Sequence, residues 1–305
     1  MMQHSKTPTS ILSPVHGISS CLFATQPGTQ MTHEPKITSG EPALRYWTAG
    51  NSGPKVLLIM GYGMRGEIWE PQISGLKDSH QLTWFDNRGV GESDMGPKSR
   101  WTMSDMAGDV LSVMDALGWD TCHLVGVSMG GMIAQEVALT ASHRLQSLTL
   151  IVTHAGGVTL SKLPTMPGLR AFFGVARANT EQRIESLKKL LYPAEFLATT
   201  DEDALNARIK MRIGRPLPKN IALGQLRAIF RHDTRKRLGS LQLPTLIIKA
   251  SKDILVRPQA SDRLHALIPN AELLEISDAG HGVIFQSAAT VNEALTRHIT
   301  TAEQA

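Results

Sequence analysis

The stretch His123-Leu124-Val125-Gly126-Val127-Ser128-Met129-Gly130-Gly131 decides how this chain is read. Residues 123–127 form a short apolar run of strand length, and beyond the serine Ile133, Ala134, Val137 and Ala138 recur at helical spacing. Strand, Gly-x-Ser-x-Gly and helix in that order predict a tight turn that lifts a serine hydroxyl above the edge of a sheet. Such a turn strains the serine backbone, so the positions two before and two after it must be small. Gly126 and Gly130 meet that need. The helix that follows would aim its N-terminus at the site and favour negative charge there. Alone, the five-residue pattern is weak, because an ordinary Gly-rich βα connection also produces it.

The surrounding chain strengthens the pattern. Strand-like runs are predicted at 55–60, 81–86, 123–127, 147–152, 245–250 and 271–276. Near-continuous apolar strands imply burial on both faces, which belongs to a mainly parallel sheet with helices on both sides. Residues 102–117 read as a helix with Thr102 and Asp105 placed for a capping box and Gly118 as the stop. From 155 to 240 the strand rhythm lapses into helical patterns such as 180–192 and 220–231, and Pro244 restores it. The organisation expected is a leader over 1–36, an α/β core from 37–154 and 241–300, and an inserted helical lid over 155–240. A lid there would cover the carboxyl ends of the strands, where ligands bind in open α/β sheets.

An activated serine needs a base, and the base needs an orienting acid. Downstream, the strand at 245–250 ends at Ser251-Lys252-Asp253, and the strand at 271–276 ends at Ser277-Asp278-Ala279-Gly280-His281-Gly282. Both loops lie at the sheet edge that carries Ser128, so Asp253 and His281 are the candidate acid and base. Asp278 competes with Asp253 for the acid's role. Two backbone amides must also face the oxyanion of a tetrahedral intermediate, one after the nucleophile and one after the strand at 55–60, which nominates Met129 and Tyr62. The other histidines suggest no paired arrangement.

A rival pattern shares the second loop. Gly61-Tyr62-Gly63-Met64-Arg65-Gly66 is a literal G-x-G-x-x-G after an apolar strand, and Asp86 closes the next strand, as in a dinucleotide-dependent oxidoreductase. Pro71 interrupts the helix that this reading requires, and Ser128, Asp253 and His281 would then have no role.

Composition narrows the rest. The 305 residues are 42% hydrophobic and 19% charged, which suits one large domain with an insertion. No apolar window approaches membrane-spanning length, and Cys21 and Cys122 offer no metal-ligand spacing, so Cys122 reads as a small buried hydrophobe. No metal or cofactor is called for. Residues 151–240 carry 16 Lys and Arg against 7 Asp and Glu, while the rest of the chain is acidic. These cations are dispersed and no nucleic-acid motif accompanies them, so they read as a solvated helical face. Residues 1–33 contain no acid and no Arg, and Met31 could serve as the working start. The leader lacks a secretory core, so cytoplasmic location is expected, with organellar import the less favoured course.

Over about residues 40–300 the chain resembles the α/β-hydrolase superfamily. Phe85-Asp86-Asn87-Arg88-Gly89-Val90-Gly91-Glu92-Ser93 is similar to that family's D-x-R-G-x-G-x-S turn, which is structural there, and Gly126–Gly131 is similar to its G-x-S-M-G-G elbow. Ile68-Trp69-Glu70-Pro71-Gln72 adds a likeness to small esterases, enol-lactone hydrolases and cofactor-free haloperoxidase-like members. Met60-Gly61 replaces the usual His-Gly, as in a subgroup resembling polyketide methyl esterases, which alters how the oxyanion loop is held. The resemblance implies a serine hydrolase that cleaves a small-molecule ester or lactone through an acyl-enzyme on Ser128. The alternative is a weakly catalytic or noncatalytic ligand-binding protein of the same fold. Substrate identity and oligomeric state stay open at this point.

Overall fold

The computed structural model describes residues 33–97, 100–157, 164–177, 179–213 and 217–304. Most of the expected leader, with Cys21 and Met31, therefore lies outside the described residues. Among them runs an eight-stranded sheet in the order β1-β2-β4-β3-β5-β6-β7-β8. Its strands are β1 (Lys36–Ile37), β2 (Arg45–Ala49), β3 (Lys55–Ile59), β4 (Gln81–Phe85), β5 (Cys122–Val127), β6 (Leu145–Ile151), β7 (Thr245–Ala250) and β8 (Glu272–Ile276). From β4 to β8 the pairing is parallel throughout, and β1 and β2 add an antiparallel edge.

The apolar runs became strands because both faces of the sheet are covered. Leu57, Ile59, Leu124, Leu148 and Ile247 belong to one buried cluster with residues of α2 (Met103–Ala116), α3 (Met129–Thr140) and α9 (Gln259–Leu267). Their alternates Val56, Leu58, Val125 and Ile248 are equally buried and point to the opposite face. There α1 (Glu70–Leu76) packs on α11 (Ala288–Glu303), which in turn contacts β6. Every residue of β5 is buried, as befits a central strand.

Helix α2 carries the capping box that its sequence signals. The Asp105 amide donates to Thr102 Oγ1 at 3.1 Å, and the Thr102 amide donates to Asp105 Oδ2 at 2.9 Å. Gly118 ends the helix with φ +64°.

Two strands escaped the sequence reading. Lys36–Ile37 is a strand of two exposed residues, so the expected leader boundary at 36 falls inside it. Arg45–Ala49 buries Tyr46 and Ala49 and leaves the other positions half-buried rather than presenting an apolar run, as an antiparallel strand near a sheet edge does. Between β6 and β7 the described chain is helical: α4 (Met166–Arg177), α5 (Thr180–Leu191), α6 (Ala194–Thr199), α7 (Glu202–Ile213) and α8 (Lys219–Arg231). Its two ends meet in a single antiparallel bridge, Gly156 to Asp233, flanked by the Thr234 amide donating to the Ala155 carbonyl at 2.9 Å. A last short helix, α10 (Val283–Gln286), precedes α11. No helix among the described residues is long and apolar enough to cross a membrane.

Candidate active site

Ser128 sits between the end of β5 and the first turn of α3 with φ 55° and ψ −120°, a conformation that L-residues rarely adopt. The neighbouring sequence makes it attainable. A Cβ on Gly126 would collide with the Gly130 carbonyl, and one on Gly130 with the Ile59 carbonyl, so the turn closes only with glycine at both positions. The peptide is held on two sides. The Ser128 amide donates to the Ile151 carbonyl at 2.9 Å, and Thr153 Oγ1 donates to the Ser128 carbonyl at 2.7 Å.

The structure brings the three side chains singled out in the sequence together. His281 Nε2 lies 3.0 Å from Ser128 Oγ, and His281 Nδ1 lies 2.7 Å from Asp253 Oδ2. Asp253 is 3% exposed, and its other oxygen accepts from the Leu255 and Val256 amides at 2.8 and 2.9 Å. An ionised carboxylate can only accept, so opposite the Asp253 carboxylate Nδ1 carries the proton and Nε2 faces the serine as an acceptor. Asp278 is exposed, and it is the Asp278 carbonyl that receives the side-chain amide of Gln286, at 2.8 Å.

Met129 is the first residue of α3, so its amide has no helical carbonyl four positions earlier and is free to serve an external acceptor. Gly61 packs on the serine: a Cβ there would lie 3.2 Å from Ser128 Cβ. Tyr62 follows it, its ring 5.9 Å from that of Phe172 on α4.

The loop from 60 to 66 is fixed at three points. Asn87 Nδ2 donates to the Met60 carbonyl at 2.9 Å, the Gly63 amide donates to Gln225 Oε1 at 2.9 Å, and the Gly66 amide donates to Asp86 Oδ1 at 2.7 Å. The replacement of histidine by Met60 thus leaves the loop anchored through backbone groups. Asp86 and Asn87 belong to the turn after β4, which Arg88 secures from below: its Nε and Nη2 each reach Asp109 at 2.6 Å. Burial pushes the Asp86 carboxyl up to about 7, against the opposing pull of the Gly66 amide and Arg65.

Those contacts explain the Gly-x-Gly-x-x-Gly string without a dinucleotide. Asp86 is 2% exposed and bonded to the loop itself. The loop passes into a 3₁₀ turn at Gly66–Trp69, and α1 begins only afterwards, with Pro71 in its first turn.

Asn87, Thr153 and Gln225 support this site and were not singled out in the sequence. Thr153 and Asn87 follow strand ends, a positional signal shared with many loop residues, and Gln225 lies on a distant helix with no signal at all. The other histidines are not all dispersed either. The rings of His154 and His232 lie 6.2 Å apart beside the bridge from Gly156 to Asp233, a pairing invisible along the chain. Cys122 is fully buried in the core, and its thiol is pushed up to about 12 by that burial. No group of metal-ligating side chains occurs among the described residues.

Comparison with known proteins agrees with this architecture. A family model described as alpha/beta hydrolase fold matches residues 54–288. The chain is 29% identical over 263 residues to a protein of Azorhizobium caulinodans named "Putative carbamate hydrolase RutD", covering 84% of this chain and 95% of that protein. A Klebsiella pneumoniae protein of the same name is 30% identical over 247 residues, covering 79% and 90%. Among solved structures, the enol-lactonase from Burkholderia xenovorans superposes with a TM-score of 0.74 at 22% identity, covering 88% of this chain and all of that one. A thermophilic esterase from Thermogutta terrifontis gives a TM-score of 0.73 at 25% identity, covering 88% and 99%.

Proposed function

The chain belongs to the α/β-hydrolase family, and from that premise we propose that it is a serine hydrolase that cleaves a carboxylic ester or lactone through an acyl-enzyme on Ser128. The observation that carries this reading is the continuous chain of contacts from Ser128 Oγ through His281 to Asp253, at 3.0 and 2.7 Å. In the mechanism it supports, His281 Nε2 takes the Ser128 proton as the hydroxyl oxygen attacks the scissile carbonyl carbon. Asp253 holds the imidazole through Nδ1–H and stabilises the imidazolium that forms. The Met129 and Tyr62 amides donate to the oxyanion, with the N-terminus of α3 adding a favourable field. Collapse of the intermediate expels the alcohol, which takes its proton from His281, and water activated by the same histidine releases the acid. The helices between β6 and β7 act in this reading as a lid over the strand ends.

The carbamate hydrolase names of the relatives support a second scissile bond, a carbamate, whose carbonyl offers the same geometry to Ser128. Nitrophenyl esters of graded acyl length, simple lactones and an aryl carbamate, assayed side by side, rank these classes. Ser128→Ala should remove activity toward all of them, and full ester hydrolysis by that variant would refute the proposal. Labelling of Ser128 by a fluorophosphonate separates a working hydrolase from a ligand-binding protein of the same fold, which would not be labelled.

A further inference from the structure

The glycines on either side of His281 are pressed by one short segment of chain. A Cβ on Gly280 would lie 2.6 Å from the Leu191 carbonyl oxygen and 2.9 Å from Pro193 Cδ, and a Cβ on Gly282 would lie 2.4 Å from Tyr192 Cε1. The Gly282 amide also donates to the Leu191 carbonyl at 2.8 Å. Leu191 ends α5, and Tyr192 and Pro193 follow it, so the helical stretch between β6 and β7 touches both neighbours of the base directly. Backbone conformation does not call for glycine at 282. Its φ of −80° and ψ of 25° are open to residues with side chains, so what excludes a side chain there is the Tyr192 ring.

Other braces of this loop act at other residues. The Lys252 amide donates to the Ala279 carbonyl at 2.9 Å, the Gly280 amide donates to Gln286 Oε1 at 3.0 Å, and Gln72 Nε2 donates to the Ile284 carbonyl at 2.7 Å. At Gly282 the contacts are Leu191 and Tyr192. The Tyr192 ring is itself held: it is buried, with its centroid 5.1 Å from that of Phe196 and 6.0 Å from that of Phe285. Phe285 in turn carries the Arg208 guanidinium 4.0 Å from its ring centroid, and Arg208 pairs with Glu70 at 3.0 Å. The phenol takes no part in proton transfer at neutral pH, because burial pushes it up to about 12.

We infer that Tyr192 is a positioning residue for the base: its ring, set against Gly282, holds the backbone of His281 so that Nε2 stays within reach of Ser128 Oγ. This rests on Ser128 and His281 being nucleophile and base. It gives the helices between β6 and β7 a part in the chemistry that is separate from contact with substrate.

The test removes the ring and reads the base. In Tyr192→Ala, kcat for a nitrophenyl ester should fall by roughly 10- to 100-fold with KM within about twofold of wild type, the effect of a reacting group displaced by about 1 Å. Fluorophosphonate labelling of Ser128 should slow by a similar factor, since it needs the same base and no bound ester. Tyr192→Phe keeps the ring and should stay within about twofold of wild type in both measurements. Tyr192→Leu keeps apolar bulk without the ring edge. It should behave as the alanine variant does, which covers the case in which that variant fails to fold. Gly282→Ala approaches the same contact from the other side and should also lower kcat, while the double variant Gly282→Ala, Tyr192→Ala gives the new methyl group room and should be faster than Gly282→Ala by about tenfold. A folded alanine or leucine variant that labels at the wild-type rate, a loss confined to KM, a phenylalanine variant as slow as alanine, or a double variant no faster than Gly282→Ala would each overturn the assignment. If the wild type neither labels at Ser128 nor hydrolyses the ester, it is the nucleophile reading that falls.

Discussion

Asp253 and His281, 28 residues apart on the loops after two adjacent parallel strands, meet at 2.7 Å with the carboxylate 3% exposed and already committed to two backbone amides. Replacing Asp253 by Asn keeps the shape and puts an NH₂ donor where the imidazole needs an acceptor, which reverses the preferred tautomer. Asp253→Asn should therefore lower kcat/KM for a nitrophenyl ester by roughly 10³- to 10⁴-fold. Asp278→Asn should stay within about twofold of wild type, as surface substitutions remote from the reacting atoms do. Steady-state kinetics on the two variants decides between the acids.

The positive φ of Ser128 is strain that a side chain must bear and glycine need not. Ser128→Gly should be more stable than Ser128→Ala by roughly 1–2 kcal/mol, with both inactive. Denaturant unfolding of the pair measures the strain directly, and equal midpoints would show that the turn relaxes.

Gly130→Ala would drive a methyl group into the carbonyls of Ile59 and Met60. Because backbone rather than a flexible side chain is in the way, the expected loss is about 3 kcal/mol or failure to fold. Expression level and thermal melting report it.

Arg88 and Asp109 form a buried pair with side-chain exposures of 7% and 4%. Asp109→Ala would strand the guanidinium and should cost about 3–5 kcal/mol, whereas the double variant Arg88→Met, Asp109→Leu should regain most of it. A double-mutant cycle by denaturant unfolding gives the coupling. Simple additivity of the two single losses would contradict it.

Asp86 makes stability depend on pH. Its carboxyl titrates near 3.8 when unfolded and is raised to about 7 when folded, chiefly by burial. A raised folded value means that its contribution is intact below 3.8 and is lost as pH climbs through the window to about 7. Relative to Asp86→Asn, wild-type stability should fall by on the order of 4 kcal/mol from pH 4 to pH 8. Buried His80, His123 and His298, whose values are lowered chiefly by burial, act in the opposite sense below their ordinary 6.5. They are present in both proteins and cancel in the comparison. Parallel pH profiles of the two would exclude the effect.

The parallel strands were legible because burial on both faces writes itself as an apolar run, and Ser128 was legible because its turn admits only glycine at two fixed positions. His281 and Asp253 could be found by asking which loops leave the same sheet edge. Arg45–Ala49 was missed because one of its faces is only partly covered and the apolar run is broken. Gln225 was missed for a different reason: its contact with the Gly63 amide exists only once α8, from between β6 and β7, meets the 60–66 loop, and nothing along the chain encodes that meeting. That Asp253 lies buried against His281 while Asp278 is exposed is a difference in burial, which spacing alone does not supply.

The chain leaves β6 and returns to β7 through segments that bond to one another, Gly156 to Asp233 and Ala155 to Thr234. Its helices therefore hang on a closed stem, and their number and length are decoupled from the pairing of Leu148 with Thr245 and of Ile151 with Ile248 beneath. Such a stem lets the helices between β6 and β7 vary in number or length without disturbing the register of the sheet beneath them, to whose strand ends Ser128, Asp253 and His281 are fixed.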